Sequence, residues 1–355
     1  MKALALTVFL LLPACMDVAE ARARHDLTIG HVSGAGLRVD VGEGLAHVRQ
    51  LEPGSLRLWA QAPVLDIDLV ADTAGEWEIS IRNILSSAEL TGTASVSLTA
   101  SPLPTQKVWR VALPAGSTRL RLAPADTDDL APWRFAIFAD VQEAVDEVQD
   151  IFARMNLDPE IRFALISGDL SASGTDAQLE RFQREISTLR FPCFATLGNH
   201  ELQTEDLAFH RYFGRGSFSF VFRGARFTLV DDGSATLAPQ VHDWIEGWAE
   251  EGRDQAHTVI MHLPLLDPVG LRNGAFASRA EAARVLSTLA RGDVDLTVYG
   301  HVHSYYAFDN AGIPAYISGG GGSIPEELDG IGRHYLAVDV DPTTQLFEVG
   351  MVRVD

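Results

Sequence analysis

Five apolar segments of this sequence are each followed by residue types that can bind a metal ion. The segments read FAIFA, FALIS, FATL, TVIM and LTVY. The residues that follow them are, in chain order, Asp140, Asp169, Asn199 with His200, His262, and His301 with His303. Carboxylates, an amide oxygen and imidazoles are the donors that divalent transition metals accept in proteins. The pattern therefore points to chemistry assisted by a bound metal.

Position at strand ends is what makes these residues a candidate site. Each has an ordinary explanation when taken alone: Asp140 as a helix cap, Asp169 as a turn residue, His262 as a core histidine. His301 and His303 are a stronger pair because alternate residues of an extended segment share a face. Ligand sites in α/β sheets form at the carboxyl ends of strands. The occurrence of all five features in this order favours one shared metal site over five unrelated structural roles.

Two patterns of apolar and polar residues divide the chain and predict two domains. Residues 25–125 show short alternating segments such as LDIDLVA and WEISIRN, which are typical of a small all-β sandwich. Residues 126–355 alternate apolar strands with amphipathic helices, the first helix being predicted over 141–155, and they indicate a layered α/β domain. Between the two, residues 123–133, rich in Pro and Asp, read as a linker.

Composition limits the partners. The 355 residues carry 48 acidic and 28 basic side chains, for a net charge of -20. Nucleic-acid duplexes are excluded as partners because their phosphate backbones need a basic surface. A small phosphorylated substrate remains possible because bound metals supply local positive charge. The oligomeric state is left open.

The N-terminus predicts export. A lysine, an apolar run over residues 3–12 and the sequence Pro-Ala-Cys make residues 1–21 a predicted signal peptide. Two alternatives stay open: lipidation of Cys15 in a bacterial lipoprotein signal, which would tether the protein to a membrane, or ordinary cleavage near Ala19–Ala21. We expect a secreted or periplasmic protein in either case. The other cysteine, Cys193, is predicted to be a small buried hydrophobe.

The order D…GD…GNH…H…GHxH over residues 133–325 resembles the calcineurin-like metallophosphoesterases. The resemblance implies a four-layer αββα sandwich, here preceded by the small all-β sandwich, a layout similar to that of purple acid phosphatases. It also implies hydrolysis of phosphate esters, by a phosphatase or a phosphodiesterase, at two metal ions (Mn, Fe or Zn) with a bridging hydroxide as nucleophile.

The resemblance further implies roles for individual residues. Asp169 would bridge the two metals and take part in catalysis. The first site would be completed by Asp140, Gln142 and His303, and the second by Asn199, His262 and His301. The catalytic His200, with Asn199, would contact the phosphoryl group. Arg272 and Arg279 lie between the His262 and His301 motifs and suit oxyanion binding, although a surface-loop role explains them equally well.

Two departures from the family pattern need an explanation. The family usually has Asp-x-His where this chain has Asp140-Val141-Gln142. Either Gln142 is a substitute ligand that favours Mn or Fe over Zn, or the first site is weak or empty. The second departure is Ala172, where many members have an aspartate that orients the GNH histidine and where purple acid phosphatases have a tyrosine. We therefore expect no purple colour and a different orienting partner for His200.

Two other functions compete with phosphoester hydrolysis. A non-catalytic metal-binding or interaction module derived from the same fold is favoured by Gln142 and Ala172, but it is opposed by the intact His200 and the paired histidines. An amidohydrolase would place its HxH pair near the start of its domain. Here the pair lies near the end.

Overall fold

The computed structural model describes residues 16–270 and 274–354. The apolar run and Cys15 of the predicted signal peptide lie outside the described residues, as does Arg272. Among the helices that are described, none is both long enough and apolar enough to span a bilayer.

Ten strands form a β-sandwich at the N-terminal side of the chain. Alternation in the sequence explains it: in LDIDLVA the leucines and isoleucine are buried, whereas Asp66 and Asp68 face outward and pair with Arg121 and Arg119 of the adjacent strand. The two sheets have the orders β1-β2-β5-β10-β7 and β3-β4-β6-β9-β8. The strands are β1 His31–Gly34, β2 Leu37–Val41, β3 Ala46–Glu52, β4 Ser55–Ala60, β5 Leu65–Ala71, β6 Gly75–Arg82, β7 Ala88–Gly92, β8 Ser95–Leu103, β9 Gln106–Leu113 and β10 Gly116–Pro124.

Two further sheets form the rest of the molecule. One has five strands in the order β13-β12-β11-β20-β21 and the other has six in the order β14-β15-β16-β17-β19-β18. In the five-stranded sheet β11, β12 and β13 run parallel, whereas β20 pairs antiparallel with both β11 and β21. In the six-stranded sheet β15, β16, β17 and β19 run parallel, and the edge strands β14 and β18 pair antiparallel with their neighbours. The strands are β11 Trp133–Phe138, β12 Ile161–Ser167, β13 Cys193–Thr196, β14 Phe218–Phe222, β15 Ala225–Val230, β16 Ala256–Met261, β17 Leu296–Tyr299, β18 Tyr305–Asn310, β19 Ile313–Ser318, β20 His334–Asp341 and β21 Leu346–Arg353.

Helices cover the outer face of each of these two sheets. The helices are α1 at residues 16–26, α2 Gln149–Asn156, α3 Asp176–Ile186, α4 Ala208–Phe213, α5 Pro239–Glu251 and α6 Arg279–Arg291. α2 and α3 bury apolar residues on the five-stranded sheet, and α5 and α6 do so on the six-stranded sheet. A third apolar core, rich in phenylalanine, fills the space between the sheets and continues into the sandwich. The predicted fold class, an αββα sandwich preceded by a β-sandwich, is confirmed.

The segment after Asp140 differs from the predicted helix. Instead of one helix over 141–155, the chain forms a 3-10 helix at Gln142–Asp146 and then the short α2. Asp140 and Gln142 have φ values of 62° and 46°, which an α-helix cannot contain. The backbone N–H groups of Val141 and Gln142 instead donate to the carbonyl of Asp169. The regular helix is delayed because this turn is tied to the neighbouring strand end.

Buried polar contacts join the β-sandwich to the α/β region. The Asn83 side chain donates to the carbonyls of Ala60 and Cys193 and accepts from the Cys193 amide at 2.8 Å. Gln61 makes a similar two-way contact with the backbone of Arg215. Satisfied polar groups at a buried junction fix one relative placement of the parts they join. Cys193 is buried, as predicted.

The N-terminal helix α1 is anchored to the six-stranded sheet. Ala19 and Ala23 pack into the same apolar core as α5 and α6. Arg22 is fully buried and donates from Nε to Asp231 Oδ2 at 2.6 Å and from Nη2 to Ser234 Oγ at 2.9 Å. Asp26 accepts from two backbone N–H groups, those of residues 216 and 217. These residues are therefore an integral part of the folded structure.

A buried histidine is expected to make the fold acid-sensitive. Burial, together with the nearby charge of Arg226, lowers the pKa of His257 from 6.5 to about 3. Below pH 6.5 the unfolded chain takes up a proton on this imidazole, whereas the folded protein does not. The free energy of unfolding is therefore unaffected above pH 6.5 and decreases as the pH falls towards 3. The free energy of unfolding decreases by about 1.4 kcal/mol per pH unit in this range.

Urea unfolding of the wild type and of His257→Gln checks this expectation. Between about pH 7 and about pH 4.5, the free energy of unfolding of the wild type should fall by roughly 2–3 kcal/mol more than that of the variant. Parallel losses in the two proteins would contradict the assignment.

Candidate metal centre

The strand ends that carry the predicted ligands meet at one edge of the two central sheets. β11, β12 and β13 end just before Asp140, Asp169 and Asn199, whereas β16 and β17 of the other sheet end before His262 and His301. Each of these strands is largely buried on both faces, and its candidate ligand lies where the chain leaves the strand at the sheet edge. The structure thereby brings together all seven predicted ligands.

An uncommon backbone conformation aims four of these ligands inward. Asp140, Gln142, Asp169 and His301 have φ values of 62°, 46°, 54° and 67°. A non-glycine residue in this region costs about 1–3 kcal/mol, and such residues cluster at functional sites. The cost is offset by hydrogen bonds that run between strand ends, such as the His301 N–H donating to Asp140 Oδ2 at 2.9 Å.

Glycines beside the ligands are needed for space. A Cβ atom on Gly198 would lie 2.2 Å from Asp169 Oδ1, and one on Gly300 would lie 2.6 Å from Asp140 Oδ2. Of the glycines in the GD, GNH and GHxH motifs, Gly168 alone has a positive φ, 83°, a conformation that glycine adopts without strain. The other two let the carboxylates lie close against the backbone.

The ligands predicted for the second metal form one cluster. Donor atoms of Asp169, His262 and His301 all lie within 4.8 Å of one another. Asn199 Oδ1 lies 3.0 Å from His262 Nε2. His262 Nδ1 donates to the carbonyl of Ser167 at 2.8 Å, which leaves Nε2 facing the other ligands. Carboxylate, amide oxygen and two imidazoles are a donor set that a divalent transition metal accepts.

The ligands predicted for the first metal lie beside this cluster. Asp140 Oδ1 is 3.4 Å from His303 Nε2, and Gln142 Nε2 is 2.8 Å from Asp169 Oδ2. His303 Nδ1 donates to the carbonyl of Ile324 at 2.7 Å, so its Nε2 also faces inward. Neighbouring donors about 3 Å apart suit ligands held at about 2.1 Å from one ion. The residues present therefore fit bound metal, and Asp169 contacts donors of both groups.

The amide of Gln142 can present either of its ends to this site. Its nitrogen lies between Asp169 Oδ2 and His303 Nε2, at 2.8 and 3.1 Å, and its oxygen accepts from the Ser323 hydroxyl at 3.3 Å. Rotation of the amide by half a turn exchanges oxygen and nitrogen. Ser323 can accept as well as donate, so it satisfies either orientation. The side chain therefore reaches the position of the usual histidine and has an oxygen available as a ligand.

Histidine pKa values show where the site favours positive charge. Burial opposes protonation of His262, but the carboxylates of Asp169 and Asp140 outweigh it and raise its pKa to about 10. Burial is likewise outweighed at His303, where the hydrogen bond to Asp140 raises the pKa to about 9. Burial and the neighbouring His262 lower the pKa of His301 to about 4. The carboxylates thus attract cationic groups to the positions predicted for metals.

His200 lies beside the proposed metal positions and has found a different orienting partner. Its Nδ1 donates to the backbone carbonyl of Ala172 at 2.7 Å, at the position where many family members have an aspartate. Its Nε2 lies 3.9 Å from Asp169 Oδ2. The backbone therefore orients this imidazole without a charged side chain, which answers the question raised by Ala172.

Buried carboxylates that the sequence analysis did not single out support the ligands. Glu201 accepts from the backbone N–H groups of Asp169, Gly198 and Ser171 at 2.9–3.0 Å and so ties two ligand loops together. Asp232 accepts from the N–H groups of His262 and Leu263. Burial raises the pKa of both carboxyls, to about 8 for Glu201 and about 7 for Asp232. A sequence signal existed, since Glu201 follows the GNH motif and Asp232 follows the end of β15.

A cleft of 270 Å³ opens above the ligands. The residues that line it are Gln142, Asp169, His200, Gly274, His301, Val302, His303 and Glu326. Arg279 begins α6 and does not line this cleft. Arg272 lies outside the described residues, so the proposed substrate contacts of both arginines remain predictions.

Comparison with known proteins agrees with this geometry. Residues 134–305 match the model of the calcineurin-like phosphoesterase family. The chain carries a calcineurin-like phosphoesterase domain. A 3′,5′-cyclic-nucleotide phosphodiesterase of Nostoc sp. is 24% identical over 162 residues, which are 42% of this chain and 59% of that protein. The chain thus spans less than two thirds of that curated relative.

Solved structures show the same fold. A purple acid phosphatase from yellow lupin (Lupinus luteus) seeds aligns with a TM-score of 0.55 at 13% identity, covering 82% of this chain and 70% of that one. GAP50, described as the anchor in the inner membrane complex of Plasmodium, aligns with a TM-score of 0.50 at 12% identity, covering 63% and 85%. The predicted resemblance to the calcineurin-like phosphoesterases is therefore confirmed for residues 134–305.

Proposed function

We propose that this calcineurin-like phosphoesterase hydrolyses phosphate esters of small molecules at a two-metal site. The observation that carries the proposal is the convergence of six further donor residues around Asp169, with one group of donors on each side of its carboxylate. When bound, two adjacent metal ions polarise the phosphoryl group and activate the attacking water. Mn, Fe and Zn are the candidates, and the oxygen-rich first site favours Mn or Fe.

His200 supports catalysis from beside the ligands. Its Nε2 faces the cleft because Nδ1 is held by the Ala172 carbonyl. In the protonated imidazole this nitrogen donates a hydrogen bond to the phosphoryl group or a proton to the leaving oxygen. Asn199 Oδ1 faces His262 Nε2 at 3.0 Å, and we assign the NH₂ group of the same amide to a contact with a phosphoryl oxygen.

A small phosphorylated molecule is the substrate class that these features support. The cleft of 270 Å³ admits a compact phosphoryl group with part of its alcohol. The net charge of -20 disfavours nucleic-acid duplexes. The Nostoc relative acts on cyclic nucleotides by name, which makes cyclic diesters a class to test beside monoesters.

Hydrolysis assays test the activity itself. The purified protein, with Mn, Fe or Zn added, is assayed on p-nitrophenyl phosphate, bis-p-nitrophenyl phosphate and a 3′,5′-cyclic nucleotide. We expect turnover of at least one of them, loss of turnover with a chelator, and recovery when metal is restored. Turnover that survives complete metal removal, or no turnover with two metals bound, would overturn the proposal.

Substitution of Gln142 by histidine tests the unusual ligand. Histidine is a stronger donor than glutamine. Gln142→His should therefore bind the more weakly held metal at least about tenfold more tightly, which is the change that substituting a residue behind a ligand already produces. It should also shift preference towards Zn. Metal affinity measured against competing chelators checks this. Equal affinities in wild type and variant would mean that residue 142 does not act as a ligand.

We further propose that the protein is exported and lipidated at Cys15. This assignment is supported by the packing of α1, since cleavage near Ala19–Ala21 would cut through a helix whose Arg22 is buried against Asp231. Processing immediately before Cys15 would leave this helix whole. Mass spectrometry of the mature N-terminus distinguishes the two. A lipidated Cys15 supports the proposal, and an N-terminus between residues 20 and 22 refutes it.

A further inference from the structure

A second cavity among the described residues shares no lining residue with the metal-site cleft. It measures 490 Å³, against 270 Å³ for the metal-site cleft, and it lies on the sheet β3-β4-β6-β9-β8 where that sheet meets α3. The polar residues that shape it include Arg49, Arg57, Ser80, Arg82, Gln106 and Gln183. None of these belongs to the motifs that build the phosphoesterase site.

Strand register places these side chains on one face of the sheet. Trp59, Arg82 and Gln106 are direct neighbours across β4, β6 and β9. Two residues away, Arg57 lies opposite Ser80. Directly paired residues share a face, and so do residues two apart on a strand. The sheet therefore presents a row of polar side chains that includes Arg57 and Arg82, two of the three arginines that line the cavity.

Two of the arginines, Arg49 and Arg82, are held in place by neighbours that do not neutralise their charges. The Arg82 guanidinium lies 5.4 Å from the centre of the Trp59 ring. Arg49 lies 5.0 Å from the Tyr212 ring and donates to the Tyr212 carbonyl at 3.0 Å and to Gln183 Oε1 at 3.3 Å. Ring faces and neutral oxygens orient a guanidinium without neutralising it.

None of the three arginines forms an ion pair with a carboxylate among the described residues, although acidic residues outnumber basic ones by 48 to 28. Most of the other arginines that bond a side chain do pair with a carboxylate, as Arg134 and Arg223 do. Burial lowers the pKa of Arg82, and burial together with Arg82 lowers that of Arg49. The one acidic residue that lines the cavity is Glu78, which is exposed on β6.

We propose that this arginine cavity binds a small anionic molecule through an oxyanion group, at a site separate from the metal centre. Arginine forks match phosphate and carboxylate groups alike, and an oxyanion would remove the mutual repulsion of Arg49 and Arg82. Gln106 and the buried Ser80 offer further hydrogen bonds at the floor of the cavity. A volume of 490 Å³ admits an organic molecule larger than a bare phosphate ion.

Isothermal titration of the full-length, metal-loaded protein tests the proposal. The probes are inorganic phosphate, which can also bind at the metal centre, and succinate, which represents the carboxylate source. The variants are Arg57→Gln/Arg82→Gln, the milder Arg82→Lys and, as the matched control, Arg110→Gln. Arg110 is an exposed arginine on β9, across from Glu78, and it does not line the cavity.

We expect one equivalent of phosphate or succinate to bind at a site that Asp169→Asn retains. The double variant should weaken this binding at least about tenfold, as the loss of charged hydrogen bonds implies. Arg82→Lys should weaken it too, because lysine keeps the charge and lacks the fork. Arg110→Gln should bind as the wild type does.

The probe that binds identifies the oxyanion. The proposal would be overturned if the double variant bound both probes as tightly as the wild type does. The absence of any binding in Asp169→Asn would also overturn it. Arg57 is exposed, so the single variant Arg57→Gln keeps the experiment decisive even if the double variant folds poorly.

Discussion

Replacement of Asp169 by asparagine is expected to remove metal binding and phosphoester hydrolysis together. The Asp169 carboxylate lies at the centre of the site, with Oδ1 3.3 Å from His262 Nε2 and Oδ2 2.8 Å from Gln142 Nε2. Asparagine keeps the shape but loses the charge that offsets repulsion between two cations. We expect hydrolysis to fall about 10³-fold or more, which corresponds to roughly 4 kcal/mol of transition-state stabilisation.

Elemental analysis and kinetics on the same preparation check this expectation. The matched control is Asp128→Asn, which makes the same change at an exposed aspartate of the linker. It should leave the metal content and the rate of hydrolysis unaltered. A variant of Asp169 that kept two metals and more than a tenth of the activity would show that this carboxylate does not join the two sites.

Replacement of His200 by alanine should separate catalysis from metal binding. His200 is not placed as a ligand, and its ring is oriented by the Ala172 carbonyl towards the cleft. Loss of a positioned acid typically lowers the rate by about 10²–10⁴-fold. Metal content should stay at the wild-type level because every proposed donor remains.

The leaving group gives this experiment a readout that a structural role would not change. A good leaving group such as p-nitrophenolate needs little protonation, so its ester should be slowed less than an alkyl ester of the same acid. His31→Ala, at an exposed histidine of β1, is the control. Equal losses on both esters would rule out proton donation by His200.

The convergence of the candidate ligands could be predicted from the sequence because their placement follows a local rule. Each proposed ligand comes within a few residues of the end of an apolar strand, and parallel strands bring those ends to one edge. The alternation of strands and helices predicted a layered α/β region, and the resemblance to the calcineurin-like metallophosphoesterases implied its four-layer αββα form. Cys193 was predicted to be buried because it lies in an apolar strand, and it is.

Glu201 lies beside a ligand motif and Asp232 beside a strand end, but their supporting roles depend on tertiary contacts that the sequence does not show. Glu201 accepts from N–H groups that lie up to 32 positions away along the chain. The positive φ of Asp140 and Gln142, which delays α2, arises from hydrogen bonds to the neighbouring strand end. The arginine cavity needs the register of three strands and the docking of α3. None of these has a periodic signature in the sequence.

Metal stoichiometry, measured by elemental analysis of the purified mature protein, tests the two-metal site most directly. Our account predicts close to two transition-metal ions per chain, held by the donors that converge on Asp169 with Gln142 as an adequate ligand. One metal or fewer, not increased by added Mn, Fe or Zn, would contradict it. That result would make the non-catalytic module, which Gln142 already favours, the better description of this chain.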